Sequence, residues 1–399
     1  MKLSKKIMAG LMVGAVTISI WTPLSHAATP ENNRYYSIHL KNNTNLVWDV
    51  YEGGTYDEAA ILLHDQNSGD NQKFLFFPLD DGKYAIVNKN SGKPVVSDTS
   101  VGAWIADRTR TYNTDTLFQK SWTGDAKDQW YLRDQGGSNY EIVNQGYGKV
   151  ASYGSMFLMS GTRNFVDLDE SNPSDGDKVF YISSGPVNRG VQPEYGTVSL
   201  PQLPATGTRP NVPKYDASKY PYQQLPQTSN SVVVGASLVP CIMVNDSQAS
   251  DYTKIHNSPY YILEKEEYWD KAASTVLSPG ATQSLAFKTG MSSTDQQKMT
   301  ETLSMKIGAD FGLQFLGKIG PLKAEISKTI QTETSTSNSQ VSEDTVTTTI
   351  KSDADKTTGY TLYQLATKYT LKRTDGTTVS GSWIVKNNKV TVLTDSNGN

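Results

Sequence analysis

The 399-residue sequence has a single cysteine, Cys241, so no disulfide can form within the chain. Its stability must come from apolar burial and backbone hydrogen bonding. Cys241 sits in the apolar run Leu238-Val239-Pro240-Cys241-Ile242-Met243-Val244 and reads as a small buried side chain, with no His/Asn arrangement to make a catalytic thiol. Basic excess is also missing: the net charge of -3 gives no footprint for nucleic acid, and the charges are mixed, not blocked into a disordered tail. There are four histidines, no G-x-S-x-G and no H-E-x-x-H, which removes the common hydrolase and zinc-protease signatures. No cofactor or metal site is expected. What is plentiful is Gly, Tyr, Ser, Thr and Asn, a mix that suits twisted strands and polar turns better than a helical bundle.

Apolar runs are scarce after the N-terminus. There, Lys2, Lys5 and Lys6 precede the uncharged stretch from Ile7 to Trp21, and Ser25-His26-Ala27 offers small residues for cleavage. Residues 1–27 are therefore expected to be a secretory signal peptide. No later run approaches the roughly 20 apolar residues of a membrane-spanning helix.

The first half repeats itself. YAIVNKNSGKPVV from Tyr84 and YEIVNQGYGKVAS from Tyr140 match in one register, and YSIHLKNNTNLVWD from Tyr36 is a weaker copy. NQKFLF at Asn71, DQWYLR at Asp128 and DKVFYI at Asp177 recur, aligning Phe74, Tyr131 and Phe180. Three units spaced about 50 residues apart, each too small to bury an apolar face alone, predict a threefold β-trefoil. Residues 28–185 are assigned to it.

This half resembles ricin B-type lectins. In that family each unit carries an early Asp, an aromatic platform and an Asn/Asp-Gln pair before the buried aromatic. The Asp and amide groups bond adjacent sugar hydroxyls, while the ring covers the sugar's C–H face. The resemblance implies a best-preserved second unit with Asp98, Trp122, Asp128 and Gln129. The first unit has Asp49, Asn71 and Gln72, with His64 at the platform position. The third has Asp169 at the platform and Asp177-Lys178 for the pair, so no sugar is expected there. Gln72 and Gln129 read equally as braces of the trefoil core, and Trp122 as a half-exposed surface ring.

Prolines punctuate 186–227, which reads as a stiff connector lying over a surface. Beyond it, Ser231 to Asp246 reads as an apolar strand pair, and Ser258 to Ala272 alternates aromatics with charges. Glu264, Glu266 and Glu267 are too close in sequence to oppose one another across a cleft, so they read as strand charges, not an acid/base pair. The Ser/Thr-rich stretch from Ser327 to Thr358 reads as long polar strands. The C-terminus reads as a meander, Tyr360 to Lys372, Thr378 to Lys386 and Lys389 to Leu393, with turns at Thr374-Asp375-Gly376 and Asn387-Asn388.

LPQTSNSVVVGASLVPCIMVND, SPYYILEKEEYWDK and the Ser/Thr-rich strands around Thr300 to Ile350 resemble the BinA/BinB-type insecticidal toxins of spore-forming bacilli. That family joins a trefoil lectin to an elongated aerolysin-type β domain in the order found here. The resemblance implies an all-β chain: an N-terminal β-trefoil followed by an elongated aerolysin-like sheet domain over residues 186–399. The signal peptide is a departure, since many members lack one and accumulate as intracellular crystals.

One stretch stands out. Leu303, Met305, Ile307, Ala309, Phe311, Leu313 and Phe315 share a parity, and after Gly317-Lys318-Ile319-Gly320-Pro321 the alternation resumes with Leu322, Ala324, Ile326 and Ile330. Lys328 breaks it near the base. A membrane barrel strand needs ~9–11 alternating residues. Any half-buried hairpin alternates too. Lys306, Asp310, Lys323 and Glu325 on the other parity suit a water-filled lumen, and the resemblance favours insertion. One hairpin cannot close a barrel, so insertion requires a ring of subunits.

The expected function is that of a secreted pore-forming toxin. Its trefoil docks on a glycan or glycoprotein receptor, its subunits oligomerise, and hairpins 303–330 enter the target membrane. It acts alone or with a second toxin component. The alternatives are a lectin or adhesin without pore activity, or a carbohydrate-binding module on a secreted hydrolase.

Overall fold

The computed structural model describes residues 30–397 apart from 32, 99, 101, 107–108, 112–114, 188–192, 217–219, 304, 308–312 and 316–342. Strands dominate, and the few helices are short. Among the described residues no helix is long and apolar enough to cross a membrane.

The first region is three copies of one four-stranded unit. Unit 1 contains β1 (Tyr35–Leu40), β2 (Asn43–Val50), β3 (Ile61–Asp65) and β4 (Phe74–Pro78). Unit 2 contains β5 (Lys83–Asn88), β6 (Val95–Ser97), β9 (Leu117–Gln119) and β10 (Trp130–Asp134), with an extra hairpin of β7 (Ala103–Ala106) and β8 (Thr109–Thr111). Unit 3 contains β11 (Asn139–Asn144), β12 (Val150–Leu158), β13 (Gly161–Asp169) and β14 (Phe180–Ser183). The outer strands of each unit pair around a ring, β1-β4-β5-β10-β11-β14 and back to β1, which leaves no open barrel edge. The inner strands form hairpins that cap one end. Trp48, Phe74, Trp130, Tyr140 and Phe180 fill the shared core, with Trp48 edge-on to both Phe74 and Phe180. This is the β-trefoil.

The repeat asparagines explain the recurring motif. Asn88 Nδ2 donates to the carbonyl of Asn71 at 2.9 Å, and Asn144 Nδ2 to that of Lys127 at 2.9 Å. Each clamps a 3-10 turn, Asp70–Gln72 in unit 1 and Ala126–Asp128 in unit 2. The same geometry corrects the motif register by one residue. Phe74 stands opposite Asn88, and it is Trp130, not Tyr131, that stands opposite Asn144. Gln72 therefore corresponds to Asp128, and Asn71 to Lys127.

The second region is an antiparallel sheet ordered β15-β16-β21-β22-β17-β20. Its strands are β15 (Val232–Pro240), β16 (Tyr260–Leu277), β17 (Thr282–Met291), β20 (Asp344–Lys351), β21 (Thr358–Lys372) and β22 (Trp383–Asp395). Helices α1 (Asp251–Asn257) and α2 (Ser293–Leu303), and a small pair β18 (Met305–Ile307) and β19 (Leu313–Phe315), complete it. The 18 residues of β16 span about 60 Å. Two local expectations change. Val232 to Pro240 is one strand followed by a 3-10 turn at Cys241–Met243, not a strand pair, because the Val244 amide closes on the Cys241 carbonyl and the Asn245 amide donates to the Thr302 carbonyl at 2.9 Å. Asn387 does not end a strand. It lies in a bulge within β22, where its side chain accepts from the amides of Lys389 and Val390 and Gln364 donates to its carbonyl at 2.8 Å.

Trefoil and sheet share a core. Tyr35, Leu75, Phe77 and Val87 pack with Val239, Cys241, Ile255, Tyr260, Met291, Leu303 and Trp383. Lys93 Nζ bridges Asp57 at 2.7 Å and Asp251 of α1 at 2.9 Å. Gly92 has φ +73°, and a Cβ there would lie 2.2 Å from the Asp251 carbonyl oxygen, so the close approach of α1 requires glycine. The connector follows both regions. Tyr195 accepts from Gln66 on the trefoil at 2.9 Å, and farther along the Trp269 indole donates to the Pro210 carbonyl at 2.8 Å and Tyr363 to that of Pro226 at 2.6 Å.

Candidate carbohydrate cleft and membrane segment

Unit 1 gathers three of its expected residues into a cleft of about 210 Å3, lined by Asp49, Tyr51, Leu62, His64, Asn71 and Arg163 among others. β2 and β3 set the geometry. Asp49 stands opposite Leu62 and Val47 opposite His64, so Asp49 and His64 are diagonal neighbours on one face. The clamped turn Asp70–Gln72 brings in Asn71. Gln72, the fourth residue, lies behind the cleft, not in it. It is buried, donates to Asp49 Oδ2 at 2.7 Å and to the Asp65 carbonyl at 3.0 Å, and accepts from the amides of Asn67 and Ser68. It therefore braces the carboxylate. Burial raises the Asp49 pKa above the ordinary carboxylate value, against bonds from Gln72 and Asn71 and the nearby His64. Exposed His64 offers an imidazole face where a larger ring was expected.

Arg163 was not legible as a cleft residue. It sits on β13 of unit 3 and reaches unit 1 because β13 pairs with β3 at Phe165 and Leu62. Its Nε is buried with no hydrogen-bond partner.

Unit 2, expected to be the better site, is assembled differently. Lys127 occupies the position of Asn71, and its Nζ donates to Asp98 Oδ1 at 2.9 Å. Burial acts to raise the Asp98 pKa, but hydrogen bonds from Ser100 and Lys127 outweigh it and hold the carboxyl at about 2. Asp128 plays the brace: Oδ2 accepts from the Thr123 amide at 2.9 Å, the Thr123 hydroxyl at 2.7 Å and the Gly124 amide at 3.1 Å. Gln129 is buried and donates to the Gly124 carbonyl at 3.0 Å. Trp122 packs against the core shared with the second sheet, so its ring is committed there and its Nε1 is buried without a partner. Asp98 and Asp128 thus accept bonds from their own loop, and none of the four lines the unit 1 cleft. In unit 3, Lys178 takes the brace position and pairs with Asp169 at 2.6 Å, while Asp177 accepts from Asn42 at 2.8 Å.

The stretch expected to enter the membrane departs from its expected start. Leu303 is buried in the last turn of α2, in the shared core, four residues after buried Met299. It therefore belongs to a helical stripe, not a strand. β18 and β19 pair antiparallel, with Met305 opposite Phe315 and Ile307 opposite Leu313. Leu303 to Phe315 is thus not one strand here. Ala309, Phe311, Leu322, Ala324, Ile326 and Ile330 lie outside the described residues. The whole excursion leaves from β17 and returns through β20, paired neighbours at the sheet edge from Thr282 and Lys351 to Thr289 and Asp344.

The three glutamates of β16 are all paired, Glu264 with Lys372, Glu266 with Lys368, and Glu267 with Arg209 at 2.8 Å. Among the described residues, no three His, Cys, Asp or Glu side chains gather as metal ligands.

Comparison with known proteins locates these regions. The family described as "Insecticidal Crystal Toxin, P42" matches residues 232–398, and the ricin-type β-trefoil lectin domain-like family matches residues 20–104. The binary larvicide subunit BinB of Lysinibacillus sphaericus is 27% identical over 335 residues, covering 82% of this chain and 70% of BinB. The subunit BinA of the same organism is 27% identical over 337 residues, covering 81% of this chain and 80% of BinA. Insecticidal crystal protein Cry35Ab1 of Bacillus thuringiensis is 27% identical over 293 residues, covering 68% of this chain and 67% of that protein. The crystal structure of Cry35Ab1 shares the fold, with a TM-score of 0.69 over 92% of this chain and 90% of the other. With trefoil and long-stranded sheet in the same order, the chain belongs to the BinA/BinB-type insecticidal toxin family.

Proposed function

We propose that this protein is a secreted, non-enzymatic β-pore-forming insecticidal toxin whose trefoil binds a target-cell glycan or glycoprotein through the unit 1 cleft. The relatives are toxin subunits, and the paired glutamates of β16 offer no acid/base couple. Bound subunits oligomerise, and the segment between α2 and β20 enters the membrane. Signal-directed export and deposition in a crystal inclusion are alternative routes out of the producing cell. Action with a second component is favoured by the binary relatives.

One observation carries the pore reading: the amphipathic stretch lies, together with α2, between two strands already paired with each other at the sheet edge. It can extend that hairpin without breaking the order of the other strands. Met305, Ile307, Leu313 and Phe315 share one parity of its sequence. The test is dye release from liposomes after protease treatment, alone and with a binary partner subunit. Leakage in either arm supports the reading, and none in both sinks it. Ile307→Cys bearing an environment-sensitive label should move into an apolar environment during leakage. A label that stays in water moves insertion to another segment.

A further inference from the structure

The tip of the β12–β13 hairpin is built from residues that turns seldom use. Connections in water favour Gly, Asn, Asp and Ser, yet Met156-Phe157-Leu158-Met159 leads into Ser160-Gly161. Strand alternation divides the four. Met156 and Leu158 pack against a small core that includes Tyr51, Phe118 and Phe165, which anchors the tip. Phe157 and Met159 face solvent at relative exposures of 83% and 107%. Between positions 151 and 166 the chain has no acidic residue and one base, Arg163.

The shape of this feature selects its partner. A specific protein interface buries roughly 800 Å2 per partner in a complementary surface. Two side chains on a narrow tip offer no such area. A bilayer boundary needs no matching surface, only exposed apolar groups and neighbours that do not repel anionic headgroups. The position points the same way. Arg163 stands opposite Met156 in the hairpin and also lines the unit 1 cleft, so tip and cleft adjoin through one side chain.

We propose that Phe157 and Met159 form a wedge that enters the headgroup–acyl boundary of the target bilayer, and that the sugar held in the unit 1 cleft is one displayed at that surface, a glycolipid headgroup. The second clause rests on the glycan reading of the cleft, and the first does not.

The experiment uses the full chain and phosphatidylcholine vesicles under conditions without leakage. Native protein should float with the vesicles, and Phe157→Ser/Met159→Ser should lower partitioning about tenfold or more. In Phe157→Trp, brominated acyl chains should quench the introduced indole. Unchanged partitioning of the double variant, or an indole that remains in water, overturns the wedge. So does a double variant that partitions normally but loses self-association, because the tip is then a subunit contact. Both residues are exposed, so an unchanged melting profile shows that the fold is intact. A soluble glycan array separates the two claims: Asn71→Ala should lose array binding and the double variant should keep it. An array blank for native protein sinks the glycan reading and leaves the wedge standing. The sugar found on the array, mounted on a lipid in the same vesicles, should bind at least about tenfold more tightly than its soluble form. Equal binding overturns the glycolipid clause.

Discussion

Units 1 and 2 of the trefoil use one backbone plan for two ends. Both clamp a 3-10 turn with an asparagine, and both bury an aromatic immediately after it. In unit 1 the turn presents Asn71 beside Asp49, and a cleft remains. In unit 2 the equivalent position is Lys127, which reaches Asp98 and forms an ion pair with it. Unit 2 also sends Trp122, Lys93 and Gly92 toward the second sheet, where they contribute to the junction. The comparison teaches that a residue matching a binding motif is not yet a binding residue. Its partners decide whether its polar atoms face a ligand or the protein.

The comparison can be broken at several depths. The largest effect is expected where the units are alike: Phe74→Ala and Trp130→Ala should each cost about 3–5 kcal/mol in denaturant unfolding. A much smaller cost for one would separate its unit from the common barrel. Lys93→Met should cost up to about 3 kcal/mol, because it removes the cation that ties Asp57 of the trefoil to Asp251 of α1, although Asp251 keeps Lys254. Calorimetry should then show trefoil and sheet melting in separate steps. Gln72→Ala should cost about 1–3 kcal/mol, since it removes one of the two side-chain bonds to Asp49 and leaves the Asn67 amide without a partner, and should abolish glycan binding. Gln129→Ala should leave glycan binding unchanged.

Acid distinguishes the two aspartates. The folded-state pKa of Asp49 is raised, so ionised Asp49 costs stability at neutral pH and protonation relieves that cost as pH falls through the raised value. The carboxylate acceptor is lost over the same interval, so glycan affinity should fall before ordinary carboxylates titrate. Asp98 behaves oppositely: its stabilising contribution is present above its unfolded value and is lost only as pH falls toward about 2. Carboxyl chemical shifts followed by NMR should give that order. The smallest effect is expected for Lys127→Asn, about 0–1 kcal/mol for a half-exposed pair. It should free Asp98 and move its titration upward. Sugar binding gained in unit 2 would show that Lys127 alone keeps the site shut.

The fold class was legible because repetition and alternation are read over many residues, and both survive local exceptions. The site was less legible. A one-residue slip, aligning Tyr131 where Trp130 belongs, put Gln129 in the bracing place that Asp128 takes, because strand register is set by pairing with Asn144 and not by motif spacing. Arg163 enters unit 1 from unit 3 through a pairing that no local pattern announces. Leu303 fitted an alternating strand and a helical stripe equally well, and tertiary burial with Met299 decided between them. At Asn387 the turn chemistry was read correctly but used inside a strand, since side-chain bonds to its own neighbours stabilise a bulge as readily as a reversal.

Cys241 gives the junction a built-in reporter. Its thiol is fully enclosed where trefoil meets sheet, and burial pushes its pKa up to about 12, so the native chain should be inert to thiol reagents. Any cysteine introduced at the surface can then be labelled without background. The residue also dates events: the moment at which Cys241 starts to react marks the moment the two regions part. Alkylation kinetics in the presence of vesicles would show whether the two regions separate at this seam when the protein meets a membrane.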